Sequence, residues 1–260
     1  MLIDAATLAR IFSVQPTGIL HVGAHEGEEL ALYAAAGWLA RGRVIWVEAQ
    51  PALARTLRQR LAGTDAKVIH AVAWDVDGAP LELKIASNSQ STSVFEFGTH
   101  AASYPEITFT ERSGVIGRRL DHLLAADDRF DFVALDIQGA ELAALRGLGA
   151  RLSGVSWIYT ECQRWRVYKD APDLAELDEF LAERGFVRVA ARWAGRHGWG
   201  DALYSRVELV SALSVWARAC QSAQFALFQL STAARERRQG LAAWLNRRMR
   251  PRSKRTTDAR

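Results

Sequence analysis

Four short apolar runs in this chain each stop at a glycine or an acid and lead into a helix-forming stretch, and that alternation leaves few folds open. Gly18-Ile19-Leu20-His21-Val22-Gly23 ends in a glycine turn, and Glu28 to Ala36 behind it is rich in helix formers and halts at Gly37. Val44-Ile45-Trp46-Val47 stops at Glu48, after which Pro51 opens a helix through Leu53, Leu57 and Leu61 with Gly63 just beyond. Phe130 to Ile137 carries Asp136 near its end and leads into a predicted helix over Gln138 to Arg146. Val155 to Thr160 stops at Glu161, ahead of a helix face made by Leu174, Leu177, Phe180 and Leu181 and closed by Gly185. Wholly apolar strands alternating with amphipathic helices require a sheet covered on both faces, so the predicted fold is α/β, a doubly wound and mostly parallel sheet.

The remaining segments fill in this frame. Val68 to Ala73 reads as a third strand, and the alternation in Leu81 to Ile85 as a more exposed one. Residues 87 to 114 are polar and poorly periodic, as functional loops are. Phe186 to Ala190 and Asp201 to Val207 are two last strands with no helix between them, which predicts an antiparallel strand at the sheet's edge. From Glu208 the pattern changes. Leu209, Leu213, Trp216, Cys220, Ala223, Leu227 and Leu230 recur at helical steps, giving a predicted domain over 1–207 and an amphipathic helical extension with a basic, disordered tail over 208–260. That helix is expected to pack on its own domain, on another subunit or on a membrane surface.

Charge is unevenly placed. Residues 235 to 260 hold ten Lys/Arg against two Asp/Glu, so the formal +4 of the whole chain leaves residues 1 to 234 at −4. An acidic body offers no long phosphate track, and no nucleic-acid partner is expected. Two cysteines exclude a disulfide framework, no apolar run reaches 18 residues, and no basic stretch precedes an apolar one at the N-terminus, so the expected location is cytoplasmic.

In a doubly wound sheet, ligands bind beyond the carboxyl ends of the strands. Gly23-Ala24-His25-Glu26-Gly27-Glu28 lies there, with glycines that let backbone approach a ligand and a helix N-terminus suited to a carboxylate. Glu48 follows Gly23 by 25 residues, at the next strand end, where an acid can accept from both ribose hydroxyls of a nucleoside. These two features read as a nucleoside site and do not by themselves separate NAD from S-adenosylmethionine.

Residues 18 to 28, 44 to 51 and 132 to 148 together resemble the FkbM-type methyltransferase family, most closely in Asp136-Ile137-Gln138-Gly139-Ala140-Glu141. Ile158 to Glu161, Gly198 to Tyr204 and Ser89-Gln90-Ser91-Thr92-Ser93 with the Phe-Gly-Thr-His ending at His100 extend the resemblance, which covers roughly residues 17 to 206. His21 departs from it, since many relatives carry Asp there. The resemblance implies a seven-stranded Rossmann-like class I methyltransferase that uses S-adenosylmethionine to methylate a hydroxyl oxygen. It places Gly23, His25, Gly27 and Glu28 at the methionine part of the cofactor, Glu48 at the ribose, the turn near Ala73 and Asp75 at the adenine, and Asp136 near the transferred methyl, with Gln138, also on the cofactor side, and Glu141 opening the helix beyond it.

A hydroxyl acceptor must lose a proton, and the candidate bases are His197, Asp201, Glu161 and Asp136. His197 is the natural choice near neutral pH. Asp136, Glu161 and Asp201 also form a set of strand-end acids able to hold a divalent ion, though S-adenosylmethionine chemistry does not need one and no His/Cys cluster has zinc spacing. Trp165, Tyr168, Trp193 and Trp199 lie near the expected mouth with Arg164, Arg166 and Lys169, and residues 87 to 110 are the candidate acceptor lid. The expected partner is a saccharide or another small hydroxyl acceptor, in a glycan, a lipid-linked saccharide or a secondary metabolite. An NAD-dependent oxidoreductase would need the tighter Gly-x-Gly-x-x-Gly turn, which is absent, and a non-catalytic nucleoside-binding module would be favoured by loss of Gly23 or Asp136.

Overall fold

A computed structural model describes residues 1–249. The chain divides into two units, Met1–Ser214 and Val215–Arg260. The first contains α1 (Ala5–Phe12), β1 (Ile19–Val22), α2 (Glu29–Ala35), β2 (Val44–Glu48), α3 (Pro51–Arg60), β3 (Lys67–His70), β4 (Val72–Ala73), β5 (Pro80–Ala86), α4 (His100–Ser103), β6 (Phe109–Arg118) and α5 (Leu120–Leu123). It continues through β7 (Phe132–Leu135), α6 (Glu141–Gly147), β8 (Trp157–Gln163), α7 (Leu174–Ala182), β9 (Phe186–Trp193), β10 (Trp199–Arg206) and α8 (Val207–Ser211). The second unit is α9 (Val215–Met249), which presents Trp216, Leu227 and Leu230 as exposed side chains. The basic tail, predicted to be disordered from Arg235 onward, is helical as far as Met249, and its remainder lies outside the described residues.

Seven strands form one sheet in the order β3-β2-β1-β7-β8-β10-β9. Every residue of β1, β2 and β7 is buried, as a sheet covered on both faces demands. On one face Leu20, Val22, Ile45, Val47, Val133 and Leu135 join the main core. On the other, Trp46 and Phe132 meet Tyr33 and Trp38, with Tyr33 and Trp38 stacked at 5.5 Å. His21 belongs to this second face: its Nδ1 lies 2.8 Å from the Tyr33 hydroxyl, and burial holds its pKa down.

Three expectations are corrected. The antiparallel strand is β10, inserted between β8 and β9, so the edge strand β9 runs with the parallel set. The helix after β7 begins at Glu141 rather than Gln138, because Gln138 and Gly139 take left-handed backbone angles (φ +55° and +104°) that a helix cannot contain. The stretch from 87 to 114 is not one loop. Its end forms β6, which pairs with β5 and β4 in a separate three-stranded sheet. The polar run Thr110 to Gly114 hides this strand because it is mostly exposed and carries no apolar alternation, being held by backbone pairing and by the bonds of Arg112 to Glu82 and Glu96. Helix α1, unforeseen from periodicity, is capped by Asp4, whose side chain accepts from the Thr7 N–H.

Gly23 marks the point where β1 leaves the sheet. Its N–H and that of Ala24 both donate to the Val47 carbonyl, and Asp136 N–H donates to Val22 O at 3.0 Å. Gly23 has φ +88°, and a Cβ there would fall 1.9 Å from the Asp136 carbonyl oxygen. Gly23→Ala is therefore expected to cost about 3 kcal/mol or more in urea unfolding; a loss below about 1 kcal/mol would show that β1 and β7 can spread apart.

Candidate active site

The strand order turns back between β1 and β7, and a cavity of about 440 Å³ opens there beyond their carboxyl ends. Pockets of about 300–1,000 Å³ hold cofactors and small substrates.

One end is built around Glu48. Its Oε2 accepts from the His25 N–H and its Oε1 from the Gln50 N–H, both at 2.8 Å. Burial pushes the carboxyl's pKa up, and those N–H groups pull it back. Each oxygen keeps a second lone pair, so the cavity-facing carboxylate can accept from a diol. His25, at φ +45°, turns its ring so that Nδ1 meets Glu28 Oε1 at 2.6 Å and Nε2 meets Ser89 Oγ at 2.7 Å. Gln50 Nε2 also donates to Ser89 O. The 3-10 turn Ser89–Ser91, hung from β5, thus closes over this end.

The other end is acidic. Gln138 Nε2 donates to Asp136 Oδ1 at 2.7 Å and to Glu161 Oε2 at 2.8 Å. Burial raises the Glu161 pKa well above the carboxylate range, and the neighbouring charges of Asp136 and Glu141 raise it further. Asp201 accepts from the Leu2 N–H and from the Tyr159 hydroxyl, and burial lifts its pKa to about 6. Behind this wall Glu141 accepts from the N–H groups of Ile137 and Gly139, each at 3.0 Å, and burial raises its pKa to about 7.

Gly23, His25, Glu28, Glu48, Asp136, Gln138, Glu161 and Asp201 all line the cavity. Three sequence candidates do not. Gly27 faces α3, where a Cβ would meet Leu57 at 2.7 Å. Asp75 lies outside, its carbonyl accepting from Arg119, and Ala71 to Ala73 line the wall instead. His197 sits one layer back, its ring stacked on Tyr104 at 4.9 Å. Among the aromatic candidates Tyr168 and Trp199 line the cavity, whereas Trp165 is exposed and Trp193 packs on the core beneath Arg164. Asn88 to Val94, His100, Tyr104 and Ile107 do bring the predicted lid to the site. Among the described residues, no group of three or more His, Cys, Asp or Glu side chains is arranged to hold a metal ion. Nor is any helix long and apolar enough to cross a membrane among them. Leu2 and Tyr159 escaped sequence reasoning because nothing local announces a contact spanning 156 or more residues.

A doubly wound sheet with a glycine turn and a pinned strand-end acid at its switch point defines a nucleoside-cofactor-binding protein. The FkbM methyltransferase domain model matches residues 21–188. The chain belongs to this family and is an S-adenosylmethionine-dependent methyltransferase, which sets aside the oxidoreductase and the non-catalytic module. Among solved structures it is similar to an FkbM methyltransferase from Methylobacillus flagellatus, at 19% identity and TM-score 0.48 over 72% of this chain and 43% of that one. It thus spans less than half the length of that protein. A putative O-methyltransferase from Klebsiella pneumoniae matches at 17% identity and TM-score 0.45, over 78% of this chain and 77% of that one. Magnesium protoporphyrin IX methyltransferase from Synechocystis, with the cofactor bound, matches at 12% identity and TM-score 0.43, over 78% and 76%. No curated protein matches significantly.

The residues fit S-adenosylmethionine. Glu48 offers paired acceptors to a ribose, Val47 and Ala71 to Ala73 an apolar wall to an adenine, and the acidic end suits a cationic sulfur. Because Glu141 binds its proton more tightly folded than unfolded, its stabilising effect is full below about pH 4.5 and fades as pH rises to about 7. Wild-type stability is expected to fall across that window by on the order of 1–3 kcal/mol more than that of Glu141→Gln, as read by urea unfolding; parallel curves would show that Glu141 is ionised throughout.

Proposed function

We propose that this methyltransferase transfers its methyl group to a hydroxyl oxygen of a saccharide, in a glycan, a lipid-linked saccharide or a secondary metabolite. The observation that carries the reading is the two-ended cavity, with a diol-binding acid at one end and a carboxylate pair beside aromatic rings at the other. S-adenosylmethionine supplies an activated methyl on a positively charged sulfur, so the protein must position the acceptor and take its proton.

Asp136 and Glu161 both accept from the Gln138 amide and lie within hydrogen-bonding reach of each other, which puts a carboxyl pair beside the acceptor. A carboxyl raised above its ordinary range is a better match to a proton released near neutral pH, which favours Glu161 as the base. Tyr168 and Trp199 provide ring faces on which a sugar's apolar face can pack. Their neighbours Tyr104 and Ile107 continue that surface toward the mouth.

Calorimetry tests the cofactor end: wild type should bind S-adenosylmethionine and not NAD, and Glu48→Ala should weaken binding about tenfold or more. Transfer of a tritiated methyl group to a panel of methyl glycosides then tests the acceptor end. Glu161→Gln is expected to lower turnover by roughly 10²- to 10⁴-fold with cofactor affinity little changed. Transfer to amines or carboxylates in place of hydroxyls would overturn the assignment of the acceptor.

A further inference from the structure

The Gln138 side chain is held from every side. Its two amide N–H bonds go to Asp136 and Glu161, and its Oε1 accepts from the Tyr168 hydroxyl at 2.5 Å. Its backbone is tied as well. The carbonyl accepts from Ser93 Oγ at 2.6 Å, and the next residue, Gly139, leaves no room for a Cβ, which would lie 2.8 Å from the Ala171 methyl. Tyr168 is itself fixed: its N–H donates to Gln163 Oε1, and its ring packs against Phe97 and His100.

An amide has two ends of nearly the same shape and opposite hydrogen-bonding character. With nitrogen toward the carboxylates it donates to two anions; with oxygen toward them it repels both. The phenol donates its proton to Gln138 Oε1, and that bond selects the first orientation. We propose that Tyr168 is a positioning residue for methyl transfer, acting through the Gln138 amide to keep the Asp136–Glu161 pair able to ionise. The proposal rests on the reading of that pair as the proton acceptor.

Glu161 faces Asp136, Glu141 and Asp201, the Tyr168 phenol, the adjoining Cys162 thiol and the amino group of Met1. Asp136, Glu141 and Asp201 oppose its ionisation, the Met1 amino group favours it through charge, and the Gln138 amide N–H is the neutral donor that holds the ionised form in place. Without the phenol the amide oxygen is left unpaired in a buried site, the amide loses its preferred orientation, and the carboxyl holds its proton to higher pH.

Carbon-13 NMR of protein labelled at the glutamate side-chain carboxyl reads this directly, with the Glu161 resonance assigned by its loss in Glu161→Gln. Tyr168→Phe keeps the ring beside Phe97 and His100 and is expected to raise the Glu161 midpoint by about one pH unit, a tenfold gain in proton affinity. In a Gln138→Leu background the same change should move the midpoint no further. An unchanged midpoint in a variant that melts like wild type would overturn the proposal. An equal shift in the Gln138→Leu background would also overturn it, because that shift would report packing alone. Should Tyr168→Phe fail to fold, Gln138→Leu alone must raise the Glu161 midpoint, and no shift there would reject the relay. The readout needs no acceptor: if S-adenosylmethionine fails to bind wild type, the methyl-transfer reading falls while the titration still decides the link between Tyr168 and Glu161.

Discussion

The acidic edge of the sheet depends on one buried carboxylate that catches two backbone N–H groups. Glu141 bonds Ile137 and Gly139, and this closes the turn between β7 and α6. The closure forces Gln138 and Gly139 into left-handed backbone conformations, and the Gln138 side chain is thereby returned to the strand ends rather than carried off on the helix. Two buried N–H groups of the turn ahead of the helix are thereby satisfied. The cost is a buried acid surrounded by other acids, visible in a Glu141 pKa of about 7.

From that turn the site is assembled by segments far apart in the chain. Asp136 comes from the end of β7, Glu161 from within β8, and Asp201 from β10. Because β10 is antiparallel, Asp201 sits opposite Glu161 in register, which crowds the acidic wall where the Gln138 amide bridges Asp136 and Glu161. The small sheet of β4, β6 and β5 serves both ends of the cavity at once. Ser89 meets His25 and Gln50 at the Glu48 end, and Ser93 holds the Gln138 carbonyl at the acidic end. A segment with no helical or strand periodicity of its own thus couples the two halves of the site.

Much of this was readable in the residues. Fully buried strands such as Val44–Glu48 show as unbroken apolar runs, and a glycine or acid at their ends marks where the chain must turn, so the parallel sheet and its ligand edge could be derived from spacing alone. The strand Phe109–Arg118 could not, since it is mostly exposed and carries no apolar signature. His197 looked like the base because histidine chemistry suits neutral pH, yet side-chain chemistry says nothing of depth, and the ring lies behind Tyr104.

The sequence by itself determined the layered α/β class, the glycine turn at Gly23, the acid at Glu48 and the family signature around Asp136, because each is a local pattern of burial, backbone freedom or charge. Only the tertiary structure decided which acids share a wall, that Tyr168 and Ser93 meet Gln138, and that Leu2 reaches Asp201. Those are contacts between residues 30 to 199 positions apart, set by strand order and register rather than by any neighbouring residue.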